Sequence, residues 1–151
     1  MTDRQGLPQI ARVLGFAGLL PQAGAVAILI VGGPDFRSVA LGLAYAYAAL
    51  IFSFLGGVWW GLAAAARAKA PRWVWIIAVL PSLIALATAL PLMNGQADLG
   101  SPLMALGAFI AASLLVDLRL KASGLTPDGW LALRIPLSLG LGLLTLAAGL
   151  V

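Results

Sequence analysis

The sequence predicts an all-α integral membrane protein, a single bundle of five transmembrane helices with a cytoplasmic N-terminus. Three observations carry this. Hydrophobic residues make up 62% of the 151-residue chain and charged residues only 9%, with a mean hydropathy of +1.06, far from the balance of a soluble domain. The apolar residues fall into five runs, 10–31, 39–65, 73–93, 101–118 and 130–151, each close to the roughly 20 residues that cross a bilayer as a helix. The breaks between them, "GGPDFRS", "RAKAPR", "NGQADLGS" and "RLKASGLTPDG", are rich in Gly, Pro and Asp, as turns between antiparallel helices require. No repeat and no separate soluble region is visible, so residues 1–151 read as one domain.

The first run follows Arg4 and Arg12 and contains the small-x-small triplet Ala25-Val26-Ala27, which mimics a signal peptide. The apolar stretch continues to Val31, so we expect a retained first span, bent by Pro21, with Gln22 as a carboxamide inside the membrane. The second run holds "SFLGGVWWG", in which Ala49, Ser53, Gly57, Gly61 and Ala65 recur every fourth residue and so share one helix face. Small residues let a second backbone approach closely, which is the main source of helix attraction in lipid. We therefore expect this face against protein, helix two as the most buried helix, and Gly57→Leu as a disruptive change. Trp59 and Trp60 point about 100° apart, so one is expected to face lipid and the other the bundle. The third run carries Pro81 and Ser82. The fourth ends on Asp117, and the fifth opens with Trp130 and contains Arg134, Pro136 and Ser138.

With five spans, the N-terminus and the second and fourth connections lie on one side. That side carries Arg4, Arg12, Arg67, Lys69, Arg72, Arg119, Lys121 and Arg134 against Arg37 alone opposite, a positive-inside pattern that places it in the cytoplasm. All five Trp residues, Trp59, Trp60, Trp73, Trp75 and Trp130, fall at that same end. The net charge of +4 is thus read as a topology signal, with no nucleic-acid partner implied.

The chain has no Cys and no His, and its five acidic residues are all Asp. Thiolate and imidazole chemistry cannot be built from it, nor can the usual zinc or haem ligand sets. No nucleophile and base can be paired, so no enzyme activity and no cofactor are expected. The polar residues at depth are the candidate site. Asp117 and Arg134 stand on helices joined by a short connection, and we expect an ion pair that would survive exchange of the two residues. Trp60, Ser82, Arg134 and Ser138 are placed around a pocket between helices two, three and five. Together with Ser53, Gly57, Gly61 and Asp117 they make up the candidate pocket or interface residues.

The ordered set "GLLPQ", "YAYAALIFSFLGGVWWGLA", "VLPSLIALATALP", "LLVDLRL" and "GWLALRIPLS" resembles, over nearly the whole chain, the small membrane family called domain of unknown function 3429, which includes transmembrane protein 69-like proteins. The family's central signature, close to Y-x-A-x-I-x-S-F-L-G-G-x-H-W-G, is matched by Tyr47, Ala49, Ile51, Ser53, Phe54, Leu55, Gly56, Gly57, Trp60 and Gly61, with Trp59 at the place where many members carry His. The resemblance implies a bacterial inner-membrane protein and brings no established activity. We read the chain as a non-enzymatic accessory, assembly or stabilising subunit of a larger membrane complex. Its partners would be the bilayer and either such a complex or a second copy. The alternative is a binding or transport protein with a Trp-lined intramembrane pocket for a lipid, a tetrapyrrole or a small solute.

Overall fold

A computed structural model describes residues 7–66, 69–95 and 98–151. The regular structure of the described residues is entirely helical: α1 (Gln9–Ala17), α2 (Leu20–Val31), α3 (Pro34–Ala66), α4 (Arg72–Met93), α5 (Gly100–Ala122) and α6 (Trp130–Leu150). These make five segments long and apolar enough to span a membrane, α1 and α2 together forming the first. Among the basic residues of the N-terminal side, Arg4 and Arg67 lie outside the described residues.

The first span is broken where the sequence suggested only a bend. Gly18 and Leu19 form a turn, and Pro21 near the start of α2 has no N–H to offer the preceding turn. The Tyr47 hydroxyl of α3 donates to the Gly18 carbonyl and so satisfies the acceptor that the break exposes. Pro81 and Pro136, by contrast, sit inside unbroken helices. α3 starts earlier than its apolar run, at Pro34, with Asp35 in the first turn, a sequence suited to a helix start. α5 runs on past its apolar run to Ala122, with Arg119 and Lys121 in the last turn complementing the helix dipole.

Two hairpins organise the bundle, α3 with α4 and α5 with α6, and α2 lies between α3 and α6. The α5–α6 seam is the most extensive. A Cβ on Gly107 would lie 2.8 Å from the Leu146 backbone nitrogen and 2.9 Å from the Gly142 carbonyl, and one on Gly149 would lie 2.8 Å from the Gly100 carbonyl. The pairs Gly100/Gly149 and Gly107/Gly142 recur after seven residues, so the two backbones touch every second turn. Inside the bundle, the buried Gln22 donates to Thr145 Oγ1 at 3.1 Å, and Thr145 donates to the Leu141 carbonyl at 2.7 Å, tying α2 to α6. At the end away from the Trp residues, Tyr45 and Thr88 hydroxyls share a 3.0 Å bond that joins α3 to α4.

α3 touches all the other spans, but a larger share of α5 is buried. The inward face of α3 is also rotated from the one expected. Ala40, Ala44, Ala48, Phe52, Leu55, Gly56, Trp59 and Ala63 are buried, whereas Gly57, Gly61 and Ala65 are exposed and Ala49 and Ser53 only half-buried. A Cβ on Gly57 or Gly61 would meet nothing within 4 Å, whereas one on Gly56 would overlap the Ala78 carbonyl oxygen of α4. Gly56 is thus the glycine that close packing requires. The rotation has two causes: α4 seats its backbone on Gly56, and the indole of Trp59 finds a hydrogen-bond acceptor inside the bundle.

Candidate functional site

That acceptor is Asp117, five residues from the end of α5 and 0% exposed. Its Oδ1 accepts from the Trp59 indole at 3.0 Å and from the Trp130 indole at 3.2 Å, and its Oδ2 accepts from Arg134 Nε at 2.8 Å. The expected Asp117–Arg134 pair is present, with the arginine side chain 14% exposed. What the charge pattern did not reveal is that two tryptophans complete it. A buried carboxylate needs several donors to offset its desolvation, and three donors from α3 and α6 supply them. The signal was available in the sequence, since Trp59 and Trp130 lie at the same membrane end as Asp117, but an aromatic belt explains that location equally well.

The remaining candidates separate. Trp60 is 49% exposed and packs edge-to-face on Trp75 at 4.8 Å on the outer surface, so the expected Trp60-lined pocket is corrected to one lined by Trp130. Ser82 is exposed on α4, and Ser53, Gly57 and Gly61 lie on the outer side of α3, so none of these lines the cavity beside Arg134. The reason is shared: lipid is as apolar as the bundle interior, and small or aromatic side chains are at home on either side.

Arg134 and Ser138 do meet, one helical turn apart, in a groove of about 430 Å³ between α1, α3 and α6. α6 contributes two neighbouring rows, Trp130–Arg134–Ser138 and Leu133–Leu137–Leu141. α3 contributes Ile51, Leu55 and Val58, and Ile110 of α5 closes the back. The rim includes Leu14 and Phe54, 63% and 67% exposed, so the groove opens sideways to the acyl-chain region. Gly15 makes the α1 wall possible, because a Cβ there would already lie 3.1 Å from Leu137. The volume is that of an ordinary small-ligand site.

Two polar groups in this apolar groove are uncommitted. Arg134 spends only Nε on Asp117, and no hydrogen bond among the described residues uses its terminal amino groups. Ser138 is 2% exposed, and its hydroxyl has no partner among the described residues. A buried hydroxyl left unpaired is unfavourable by roughly 1–3 kcal/mol. Above them, Arg12 of α1 reaches the start of α6, where a Cβ on Gly129 would lie 3.8 Å from Arg12 Nη2. Gly129 has φ 80°, a conformation that favours glycine, and α6 begins with no side-chain cap.

The model of the family described as "Protein of unknown function (DUF3429)" matches residues 7–150. The chain belongs to the DUF3429 family. It is also similar to transmembrane protein 69 of Xenopus tropicalis, 40% identical over 80 residues, a match that covers 52% of this chain and 31% of that relative. The chain thus spans less than a third of the vertebrate protein in that comparison. No solved structure gives a significant match. The family membership agrees with the multi-pass helical fold, and the matched region includes both the Asp117 cluster and the groove.

Proposed function

We propose that this DUF3429 protein is a non-enzymatic binding protein of the bilayer, and that the groove between α1, α3 and α6 takes up one amphiphile from the surrounding lipid. The observation that carries this is the combination of an open apolar groove of about 430 Å³ with two uncommitted polar groups, on Arg134 and Ser138, at one end of it. An occupant with a tail and a polar end fits that distribution, whereas a fully apolar one would leave both groups unsatisfied. Native mass spectrometry of the full chain purified in a mild neutral detergent tests it. The wild type should carry one lipid-sized adduct, and Val58→Trp, which fills the groove from α3, should lose it. A bare wild-type mass, or an adduct indifferent to Val58→Trp, would sink the proposal.

A second reading, an accessory, assembly or stabilising subunit of a larger membrane complex, is favoured by the outward small-residue face of Gly57, Gly61 and Ala65, where another helix could approach closely. The same spectra separate the two, since this reading requires the chain to be released from a much larger assembly. We further read the membrane as the inner membrane of a bacterium, with the Trp-rich end facing the cytoplasm. Support comes from six basic residues at that end, Arg12, Lys69, Arg72, Arg119, Lys121 and Arg134, against Arg37 opposite. Reporter fusions should give a cytoplasmic signal in the connection near Lys69 and an external one at Val151. The reverse pattern would overturn the orientation.

A further inference from the structure

The groove's polar end also selects the head of its occupant. This inference rests on the binding reading above and deepens it. Arg134 and Ser138 are four residues apart on one face of α6, which sets their backbones about 6 Å apart along the helix axis, the arginine nearer the start of the helix. A single-headed amphiphile such as a fatty acid has one polar group and would leave the lower hydroxyl unpaired. A glycerophospholipid has polar groups in the same vertical order: a phosphate towards water and, a few bonds nearer the tails, an ester carbonyl that can accept from a hydroxyl but cannot donate.

Charge narrows the choice further. At this end of the bundle the described residues carry six basic side chains against two acidic ones, Asp117 and Asp128. Asp117 is 0% exposed and already accepts from three donors, so it is closed to a ligand cation. Asp128 is exposed in the connection before Gly129 and does not line the groove. A choline or ammonium head would therefore find no carboxylate within the groove, and would stand among cations outside it.

We propose that the groove binds an anionic glycerophospholipid, its phosphate on the terminal amino groups of Arg134 and an ester carbonyl accepting from Ser138 Oγ, with one acyl chain along Leu133, Leu137 and Leu141. Arg12, at the start of α6, adds the second positive charge at the rim.

The experiment is a competition read by native mass spectrometry, with the full chain exchanged into mixed micelles holding equimolar phosphatidylglycerol and phosphatidylcholine of identical chains. The wild type should retain phosphatidylglycerol over phosphatidylcholine by about tenfold, the ratio expected when placing the choline cation among Arg12 and Arg134 with no carboxylate costs about 1.4 kcal/mol. Arg12→Gln should cut the preference several-fold. Ser138→Ala leaves the fold without its unpaired hydroxyl and should lower retention of the phospholipid while leaving that of a fatty acid of the same chain unchanged. Arg134→Gln also unpairs Asp117, so Arg12→Gln and Ser138→Ala decide the matter if that variant fails to fold. Equal retention of the two phospholipids, lost in Val58→Trp, would overturn the head-group assignment and leave the groove reading standing. Retention indifferent to Val58→Trp would overturn both. Displacement of the lipid by millimolar inorganic phosphate would assign the Arg134 end to free phosphate and refute the lipid proposal.

Discussion

Asp117→Ala should be among the most damaging single substitutions in this protein, lowering stability by about 2–4 kcal/mol, because it strands a partly buried guanidinium and two indole N–H groups at once. Asp117→Asn should lose much of the same, since its amide can accept on one side only and turns a donor towards the tryptophans or towards Arg134. The reversed pair, Asp117→Arg with Arg134→Asp, discriminates between an ion pair and the cluster seen here. A simple pair tolerates reversal, and the sequence suggested that it would. The structure changes that expectation, because the swap faces a guanidinium, which accepts nothing, with the N–H groups of Trp59 and Trp130. Thermal unfolding in detergent should therefore show the swap no more stable than Asp117→Ala. Recovery to near wild-type stability would mean that the indole bonds contribute nothing.

The second large effect is at two glycines whose neighbours in sequence or fold look interchangeable. Gly107→Ala should lower stability by about 1–3 kcal/mol, and Gly107→Leu should prevent assembly, because even one methyl meets the Leu146 backbone and the Gly142 carbonyl within 3 Å. Gly56→Ala should behave likewise against Ala78. Gly57→Leu should leave the melting temperature within experimental error, since its side chain enters open space. This inverts the ranking drawn from the small-residue stripe. A strongly destabilised Gly57→Leu protein that remains monomeric would show that α3 is rotated the other way.

Fold class, five spans and the Asp117–Arg134 pair were legible because each rests on a contrast the bilayer enforces: apolar against polar, or a charge against its counter-charge. The rotation of α3 was not legible. In water, burial and hydrophobicity go together, so a stripe names the inward side; in lipid both sides of α3 are apolar, and Gly56 and Gly57 offer the same volume. Only partners distant in sequence separate them, the Ala78 carbonyl for Gly56 and Asp117 for Trp59. The groove was half legible. Arg134 and Ser138 share a face by spacing alone, but the wall that completes it depends on the break at Gly18 and Leu19 and on Gly15 seating against Leu137.

The hydrogen bond from Trp59 to Asp117 gives a physical meaning to the kind of ring that stands at position 59. Position 59 is occupied by an indole that presents an N–H to the carboxylate, as a His imidazole there would also do. Indole and imidazole differ in what else they bring. Imidazole has a second nitrogen and takes up a proton near neutrality, so a carboxylate beside it sits in a site whose charge varies with pH. Indole has neither property. In this chain Asp117 is held by an arginine and by two indole N–H groups, and each indole can serve it only as a donor.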